Sequence, residues 1–216
     1  MSAPLRVGVL VSGLGTTLDA LAESAPPLGA RLVQVVADRP GVPALEVAAR
    51  RGIPAAVVKI RGEPPREVAK ALDAVLKPVG VELVVLAGLR SILPVEWLSG
   101  WSGRVVNVHP SLLPRHGGSG QFGRRVFESI LAGGDKESGA TVHLVTADID
   151  AGPVLLQERF RVPPGSTPET LQAETQAVER RLLRETVARF AAGRWRLPYR
   201  PSGTRDASVR DPVGRT

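Results

Sequence analysis

The sequence contains no cysteine among its 216 residues. That absence excludes a disulfide framework, a thiolate metal site and a cysteine nucleophile. There are three histidines, with no His-Glu-x-x-His motif and no cluster of ligands, so we expect no metal site. No apolar run approaches the ~20 residues that a membrane-spanning helix needs, and strand-like sequence begins at once, which is unlike a signal peptide. These features predict a cytoplasmic protein with no membrane partner.

Aromatic residues are also scarce, at 4%, although the net charge is +7. Six arginines against two aspartates between positions 194 and 216 supply +4 of that charge, which leaves +3 for the other 193 residues. No recognised nucleic-acid motif accompanies this charge, so we do not expect a nucleic-acid partner. We interpret residues 1–196 as one domain and residues 197–216 as a basic C-terminal arm rich in Pro and Arg.

Apolar runs alternate with segments of helical periodicity along the first domain. Strands are predicted over 5–12, 31–38, 54–60, 81–88, 104–110, 141–148 and 153–162, and helices over 16–24, 43–52, 64–80 and 168–192. Strands that are apolar throughout are typical of a parallel sheet covered on both faces. The pattern therefore predicts an α/β protein with a doubly wound, mostly parallel sheet and helices on both faces.

The segment SGLGTTL, residues 12–18, joins the first strand to the first helix. A turn with Gly13 and Gly15 lets backbone N–H groups converge on an anion at the start of a helix. The segment is neither a complete dinucleotide fingerprint nor a Walker A motif. The hydroxyls of Thr16 and Thr17 favour a single phosphate, and a tight turn without a ligand is the alternative.

Asn107 and His109 stand two residues apart in a predicted strand. They should therefore point to the same side, near the carboxyl edge where open α/β sheets bind ligands. An amide donor and a titratable imidazole suit an oxyanion that develops at a carbonyl. Asp150 lies in a later strand connection, where its carboxylate could hold and charge the imidazole. A capping Asn, a core His and a turn-forming Asp are the structural alternatives.

Three segments together resemble the folate-dependent formyltransferases: VGVLVSGLGTTL, NVHPSLLPRHGG and SGATVHLVTADIDAGPVLLQ. The similarity runs through roughly residues 6–195 and implies a Rossmann-like fold. It also implies an enzyme that uses 10-formyltetrahydrofolate as its formyl donor and needs no metal. The glycine turn is similar to the phosphate cradle of those members that formylate the amine of 5'-phosphoribosylglycinamide in de novo purine (IMP) biosynthesis. The resemblance thus implies small-molecule substrates, and a homodimer is possible.

Residue by residue, the resemblance places Asn107, His109 and Asp150 in the catalytic positions. It places Gly15, Thr16 and Thr17 around the ribose 5-phosphate, and Glu179 near the glycinamide amine. The residues that it implies for the folate are Arg66, Arg90, Ser91, Ile92, Leu93 and Asn107. His116 and His143 receive no role, and we expect His143 to be a buried residue with satisfied hydrogen bonds. The glycine-rich segment 116–123 departs from the commonest form of the family.

Other functions are compatible with parts of this pattern. Another formyltransferase or a deformylase acting on 10-formyltetrahydrofolate would share the Asn-His-Asp set. A non-catalytic mononucleotide-binding module would use only the segment 12–18. An RNA-binding protein would depend on the basic arm.

Overall fold

The computed structural model describes residues 3–200 of the chain. Its strands are β1 (Leu5–Val11), β2 (Ala30–Ala37), β3 (Ala55–Val57), β4 (Leu83–Leu86), β5 (Val105–His109), β6 (Glu137–Leu144) and β7 (Val154–Arg161). Its α-helices are α1 (Thr16–Ser24), α2 (Pro43–Arg50), α3 (Pro65–Leu76), α4 (Val95–Gly100), α5 (Arg124–Ala132) and α6 (Pro168–Ala191). A single 3-10 turn, Pro26–Leu28, precedes β2.

The strands form a seven-stranded sheet in the order β3-β2-β1-β4-β5-β6-β7. The first five strands in this order run parallel, whereas β6 is antiparallel to both β5 and β7. From β1 the chain adds β2 and β3 on one side of the sheet. It then crosses back, and β4 to β7 are added on the other side of β1. The reversal between β1 and β4 leaves a crevice at their carboxyl ends, the usual position of a ligand in such sheets.

Two apolar clusters cover the two faces of the sheet. Val7, Val9 and Val11 of β1 pack in the cluster that includes residues of α1, α2 and α6, while Leu10 packs in the cluster that includes α3 and α4. Successive residues of a strand point to opposite faces, so a strand buried on both must be apolar throughout. The prediction of a doubly wound, mostly parallel α/β sheet with helices on both faces is confirmed.

Several predicted boundaries were wrong. Helix α3 ends at Leu76, not at 80, because Pro78 has no backbone N–H with which to continue the helical hydrogen bonds. Strand β6 begins at Glu137, not at 141, because residues from Glu137 onward already pair with β7. The strand predicted over 54–60 is confined to Ala55–Val57.

Helices α4 and α5 were not predicted. Helix α4 is only six residues long. Its two buried residues, Trp97 and Leu98, are adjacent in the chain and do not show the three- or four-residue spacing that marks a helix. Helix α5 follows directly on the glycine-rich segment, which obscured the helical spacing of Val126, Phe127 and Ile130. All three side chains are buried.

The chain around the predicted start of the basic arm packs against the domain. The rings of Phe190, Trp195 and Tyr199 meet edge to face, and Tyr199 donates its backbone N–H to Gly103 at 2.8 Å. Residues 201–216, most of the predicted arm, lie outside the described residues. Within residues 3–200, no helix combines the length and the apolarity required to span a bilayer.

Candidate active site

The residues of the candidate site come from β5 and from the connection that follows its antiparallel neighbour β6. Asn107 and His109 belong to β5, and Asp150 belongs to the connection between β6 and β7. Asp150 has a φ of 53°, a left-handed conformation that Asp adopts more readily than most residues. The fold thereby brings together the three residues that the sequence singled out for catalysis.

The imidazole of His109 lies between two acceptors. Its Nδ1 is 3.4 Å from Oδ2 of Asp150, and its Nε2 is 2.8 Å from the backbone carbonyl oxygen of His116. A carbonyl oxygen only accepts, so Nε2 carries a proton. A second proton on Nδ1 would let the ring donate to both neighbours, and the geometry therefore suits an imidazolium.

His143 lies in the same cluster, next to Asn107 and Asp150. Its Nδ1 donates to the carbonyl oxygen of Leu144 at 2.9 Å, and its Nε2 is 3.2 Å from Nδ2 of Asn107. Burial lowers the pKa of His143, and the neighbouring His109 lowers it further. Nε2 of the neutral ring is therefore an acceptor that takes one hydrogen of the Asn107 amide. The prediction that His143 is buried with satisfied hydrogen bonds is confirmed, and the same bonds orient Asn107.

Nε2 of His143 is also 3.6 Å from Oδ1 of Asp150. The carboxylate therefore lies between two imidazoles, and its other oxygen accepts a hydrogen bond from the backbone N–H of Gly118 at 3.0 Å. The contact of His143 with Asn107 and Asp150 was not predicted, because His143 stands in an apolar strand whose register the sequence does not specify. The antiparallel pairing places it directly opposite Asn107.

A cavity of about 480 Å³ opens beside this cluster. Among the residues with a sequence-predicted role, its lining includes Arg90, Ser91, Ile92, Leu93, Asn107 and Asp150. Three exposed apolar side chains, Ile92, Phe122 and Ile149, also line it. The cavity therefore combines apolar side chains with polar groups, among them Asn107 and Asp150 of the Asn-His-Asp set.

Two arginines near the cavity differ in their placement. Arg66 is exposed in the first turn of α3 and is not part of the cavity lining. Arg61 does line the cavity, and its guanidinium donates to the carbonyl oxygen of Arg90 at 3.1 Å. The structure thus brings Arg90, but not Arg66, to the cavity.

The glycine turn leads directly into α1. Gly15 has a φ of 81°, and a Cβ atom there would lie 2.8 Å from Cα of Ala44 and 3.0 Å from its Cβ. Glycine is therefore required both by the left-handed backbone and by the close approach of α2. Helix α1 starts at Thr16 without a side-chain cap, and its first helical hydrogen bond is the one that Asp19 donates to Gly15 at 2.8 Å. The N–H groups of residues 16–18 therefore have no partner one turn earlier in the helix. Such free N–H groups can bind an anion.

A buried carboxylate connects this turn to the segment that lines the cavity. Asp38, at the end of β2, accepts hydrogen bonds from Ser12 at 2.6 Å and from Ser91 at 2.7 Å, and its side chain is 2% exposed. Arg39 contacts the second oxygen of this carboxylate and also donates to the backbone carbonyl of Ser12. The network fixes three loops relative to one another, and sequence reasoning missed it.

Glu179 lies in α6, partly buried, and no hydrogen bond or ion pair of its side chain is recorded within residues 3–200. Burial raises the pKa of this carboxyl to about 7. An unpaired carboxyl with a raised pKa is a group that a cationic or hydrogen-bonding ligand would stabilise.

Comparison with known proteins agrees with this geometry. The profile of the formyl transferase family matches residues 5–187. Over 192 residues the chain is 40% identical to a phosphoribosylglycinamide formyltransferase of Mycobacterium tuberculosis, covering 88% of this chain and 86% of that protein. A solved glycinamide ribonucleotide transformylase 1 from Symbiobacterium toebii superimposes with a TM-score of 0.83 at 35% identity, covering 91% of this chain and 92% of the other.

Longer relatives match as well. The chain is 38% identical over 193 residues to the trifunctional purine biosynthetic protein adenosine-3 of Drosophila pseudoobscura pseudoobscura. That match covers 87% of this chain but only 14% of the relative's length.

The chain therefore belongs to the formyl transferase family. Within that family, the resemblance to the members that formylate phosphoribosylglycinamide agrees with the names of the relative of comparable length and of the solved structure.

Proposed function

We propose that this protein transfers the formyl group of 10-formyltetrahydrofolate to the amine of 5'-phosphoribosylglycinamide, a step of de novo purine biosynthesis. The observation that carries the proposal is the meeting of Asn107, His109 and Asp150 beside the cavity, which Asn107 and Asp150 line. Family membership and the names of the relatives support the same reaction.

The cavity suits the folate. A pterin is a flat ring with an apolar face and polar edges, and it would lie against Ile92 and Leu93 with its edge on the backbone of the segment 90–93. Its formyl group would then reach Asn107 and Asp150, which also line the cavity. Arg90 and Arg61 line the cavity as well, where their positive charge suits the carboxylates of the donor.

The glycine turn suits the ribonucleotide. A phosphate at the start of α1 would accept hydrogen bonds from the backbone of Gly15, Thr16 and Thr17 and would be stabilised by the helix dipole. Glu179 would hold the amine at the other end of this substrate. Because the acceptor and the donor would bind at neighbouring strand ends, their reacting atoms would meet above β5.

The reaction needs a donor to the formyl oxygen. As the amine lone pair forms the new C–N bond, the carbonyl π electrons move onto oxygen. The free hydrogen of the Asn107 amide and the Nε2–H of His109 would stabilise this charge. In the absence of substrate that N–H bonds to the carbonyl of His116, and an oxyanion would compete for it because hydrogen bonds to charged acceptors are stronger.

The tetrahedral intermediate then collapses. Its bond to the folate nitrogen breaks, the amine loses one proton, and the departing folate nitrogen gains one, so that charge and atoms balance. Asp150 would serve this transfer, since its carboxylate stabilises the charged His109 and can hold a water between the two nitrogens.

Formyl transfer can be tested by incubating the protein with 10-formyltetrahydrofolate in the presence and in the absence of phosphoribosylglycinamide. We expect tetrahydrofolate to appear only when the acceptor is present, together with the formylated acceptor. Release of formate without acceptor would indicate a deformylase. No turnover of the folate, together with binding of the ribonucleotide, would indicate a non-catalytic module.

The raised pKa of Glu179 predicts a particular pH dependence of stability. Between its ordinary value of 4.5 and about 7, unfolding releases the proton of this carboxyl, so the free energy of unfolding should fall as pH rises through that window. Glu179→Gln should remove this part of the slope in urea denaturation measured at pH 5, 6, 7 and 8. The matched control is Glu174→Gln, which changes an exposed carboxylate on the same helix. The same slope in wild type and Glu179→Gln would contradict the assignment.

We further propose that the protein acts in the cytoplasm, without a membrane or nucleic-acid partner. A homodimer remains a prediction from the sequence.

A further inference from the structure

We propose that His116 is a positioning residue, whose side chain fixes the backbone segment 116–118 and thereby sets the geometry of His109 relative to Asp150. The inference rests on the proposed function for its effect on turnover, but the contacts that carry it are independent of the substrate.

The segment 116–118 contacts both members of the His109–Asp150 pair. The carbonyl oxygen of His116 accepts a hydrogen bond from Nε2 of His109 at 2.8 Å. Two residues later, the backbone N–H of Gly118 donates to Oδ2 of Asp150 at 3.0 Å. The same carboxylate oxygen is the one that faces Nδ1 of His109. A shift of this short segment would therefore change the surroundings of the imidazole and of the carboxylate together.

The backbone of the segment does not hold this position by itself. His116 has a φ of 53°, in the left-handed region that costs a residue with a side chain energy. The chain continues through Gly117 and Gly118, which have wide conformational freedom. Something outside the backbone must therefore determine where the His116 carbonyl points.

The side chain of His116 supplies such a restraint, in addition to the hydroxyl of Ser111, which is 3.5 Å from the same carbonyl oxygen. Nδ1 of His116 is 2.8 Å from the hydroxyl of Ser129, and its Nε2 is 2.5 Å from Oδ2 of Asp135. Ser129 belongs to α5 and Asp135 to the turn that follows this helix. Both side chains of the His116–Asp135 pair are largely buried, at 16% and 12% exposure. The ring is therefore bonded at both nitrogens to one rigid element, and through it the segment is tied to α5.

The charge state of the ring is compatible with this role. Burial lowers the pKa of His116, and the positive charges of Arg115 and His109 lower it further. A neutral ring with its proton on Nε2 donates to Asp135 and accepts the hydroxyl proton of Ser129. Such a ring adds no positive charge near His109, so the effect of the contact is on position.

The experiment compares His116→Ala with His116→Gln. Alanine removes both side-chain bonds, whereas the glutamine amide can still donate to Asp135. We expect His116→Ala to lower kcat about 10-fold or more and to leave both KM values within about 2-fold, since positioning acts on the reacting geometry rather than on binding. His116→Gln should recover most of the lost turnover.

A second readout does not depend on activity. The chain has only three histidines, so the ring ¹⁵N signals of His109 can be resolved and assigned by NMR, and they report its hydrogen-bond partners. We expect these signals to move in His116→Ala and to return toward the wild-type values in His116→Gln. Asp73→Asn is the control, because it weakens the bonds from Trp97 and Trp101 to Asp73 without touching the segment 116–118.

Wild-type kcat in His116→Ala, or unmoved His109 signals in that variant, would overturn the proposal. If His116→Ala does not fold, Ser129→Ala removes one of the two bonds and should produce a smaller change of the same signals, whereas unchanged signals in a folded Ser129→Ala would count against the proposal. If the His109 signals move but the wild-type protein transfers no formyl group, the proposed function fails while the positioning role stands.

Discussion

Replacing His109 by alanine is expected to lower kcat by at least about 100-fold, the usual effect of removing an oxyanion donor or an acid–base group. This corresponds to about 2.7 kcal/mol of transition-state stabilisation. The imidazole is the group that can carry positive charge between Asp150 and the His116 carbonyl, and alanine supplies neither a charge nor a donor. Rates at saturating concentrations of both substrates would measure the loss.

A control must show that His109→Ala still folds. His109 is only 4% exposed, so replacing its ring by a methyl group leaves a small cavity that lowers stability. Circular dichroism and the melting temperature should show a folded protein of lower stability. His109→Gln, which fills more of the space, should be more stable but equally inactive. Turnover within a few-fold of wild type in either folded variant would exclude His109 from catalysis.

Asp150→Asn is expected to be comparably harmful while leaving the fold intact. Asn adopts a φ of 53° as readily as Asp, and its side-chain oxygen can still accept from Gly118. What it lacks is the negative charge that stabilises an imidazolium. Glu137→Gln is the matched control, because it removes an exposed carboxylate paired with Arg159 at the other end of β6. Retention of activity in Asp150→Asn would show that the carboxylate charge is not needed.

The sheet could be predicted because its strands are buried on both faces. In β1 the residues Val7, Val9 and Leu10 are all fully buried, so the apolar run itself marks the strand. The meeting of Asn107, His109 and Asp150 could be predicted for a related reason. Asn107 and His109 are polar residues in such a run, where an unpaired polar side chain is costly, and the resemblance to a family assigned them a role.

Other parts of the site depend on contacts between residues far apart in the chain. Ser12, Asp38 and Ser91 form one network across three loops, and each residue alone is typical of an ordinary strand end. His143 reaches Asn107 only through the antiparallel register of β5 and β6. Local sequence patterns do not contain such pairings, so neither the network nor the contact between His143 and Asn107 could be predicted.

Tertiary contacts also decide which of Arg61 and Arg66 lines the cavity. Residue matching selected Arg66, but the first turn of α3 presents it to solvent, and Arg61 in the preceding loop lines the cavity. Arg61 and Arg66 are only five residues apart, yet Arg61 lines the cavity and Arg66 faces solvent. The route of that loop depends on tertiary packing, which spacing in the sequence does not specify.

Thr16→Asp is expected to raise the KM for phosphoribosylglycinamide by at least about 30-fold without lowering stability. Residue 16 begins α1, where a carboxylate interacts favourably with the helix dipole and should leave the melting temperature equal or slightly higher. The same carboxylate would stand beside the proposed phosphate, and two negative charges about 4 Å apart near a protein surface repel by several kcal/mol. Initial rates at varied ribonucleotide concentration, together with the affinity for a folate analogue, would measure the two effects separately.

Thr16→Asn is the matched control for this prediction, because it has nearly the same shape as Asp and no charge. Its KM should stay within about threefold of wild type, since the backbone N–H groups of the first turn of α1 are unchanged. The cavity that would hold the folate is lined by other segments, so the affinity for the folate analogue should be the same in both variants. Raising the salt concentration should reduce the difference between Asp and Asn, as expected for a screened charge. An unchanged KM in Thr16→Asp would place the phosphate away from the start of α1, and the glycine turn would then be explained by its packing against Ala44 alone.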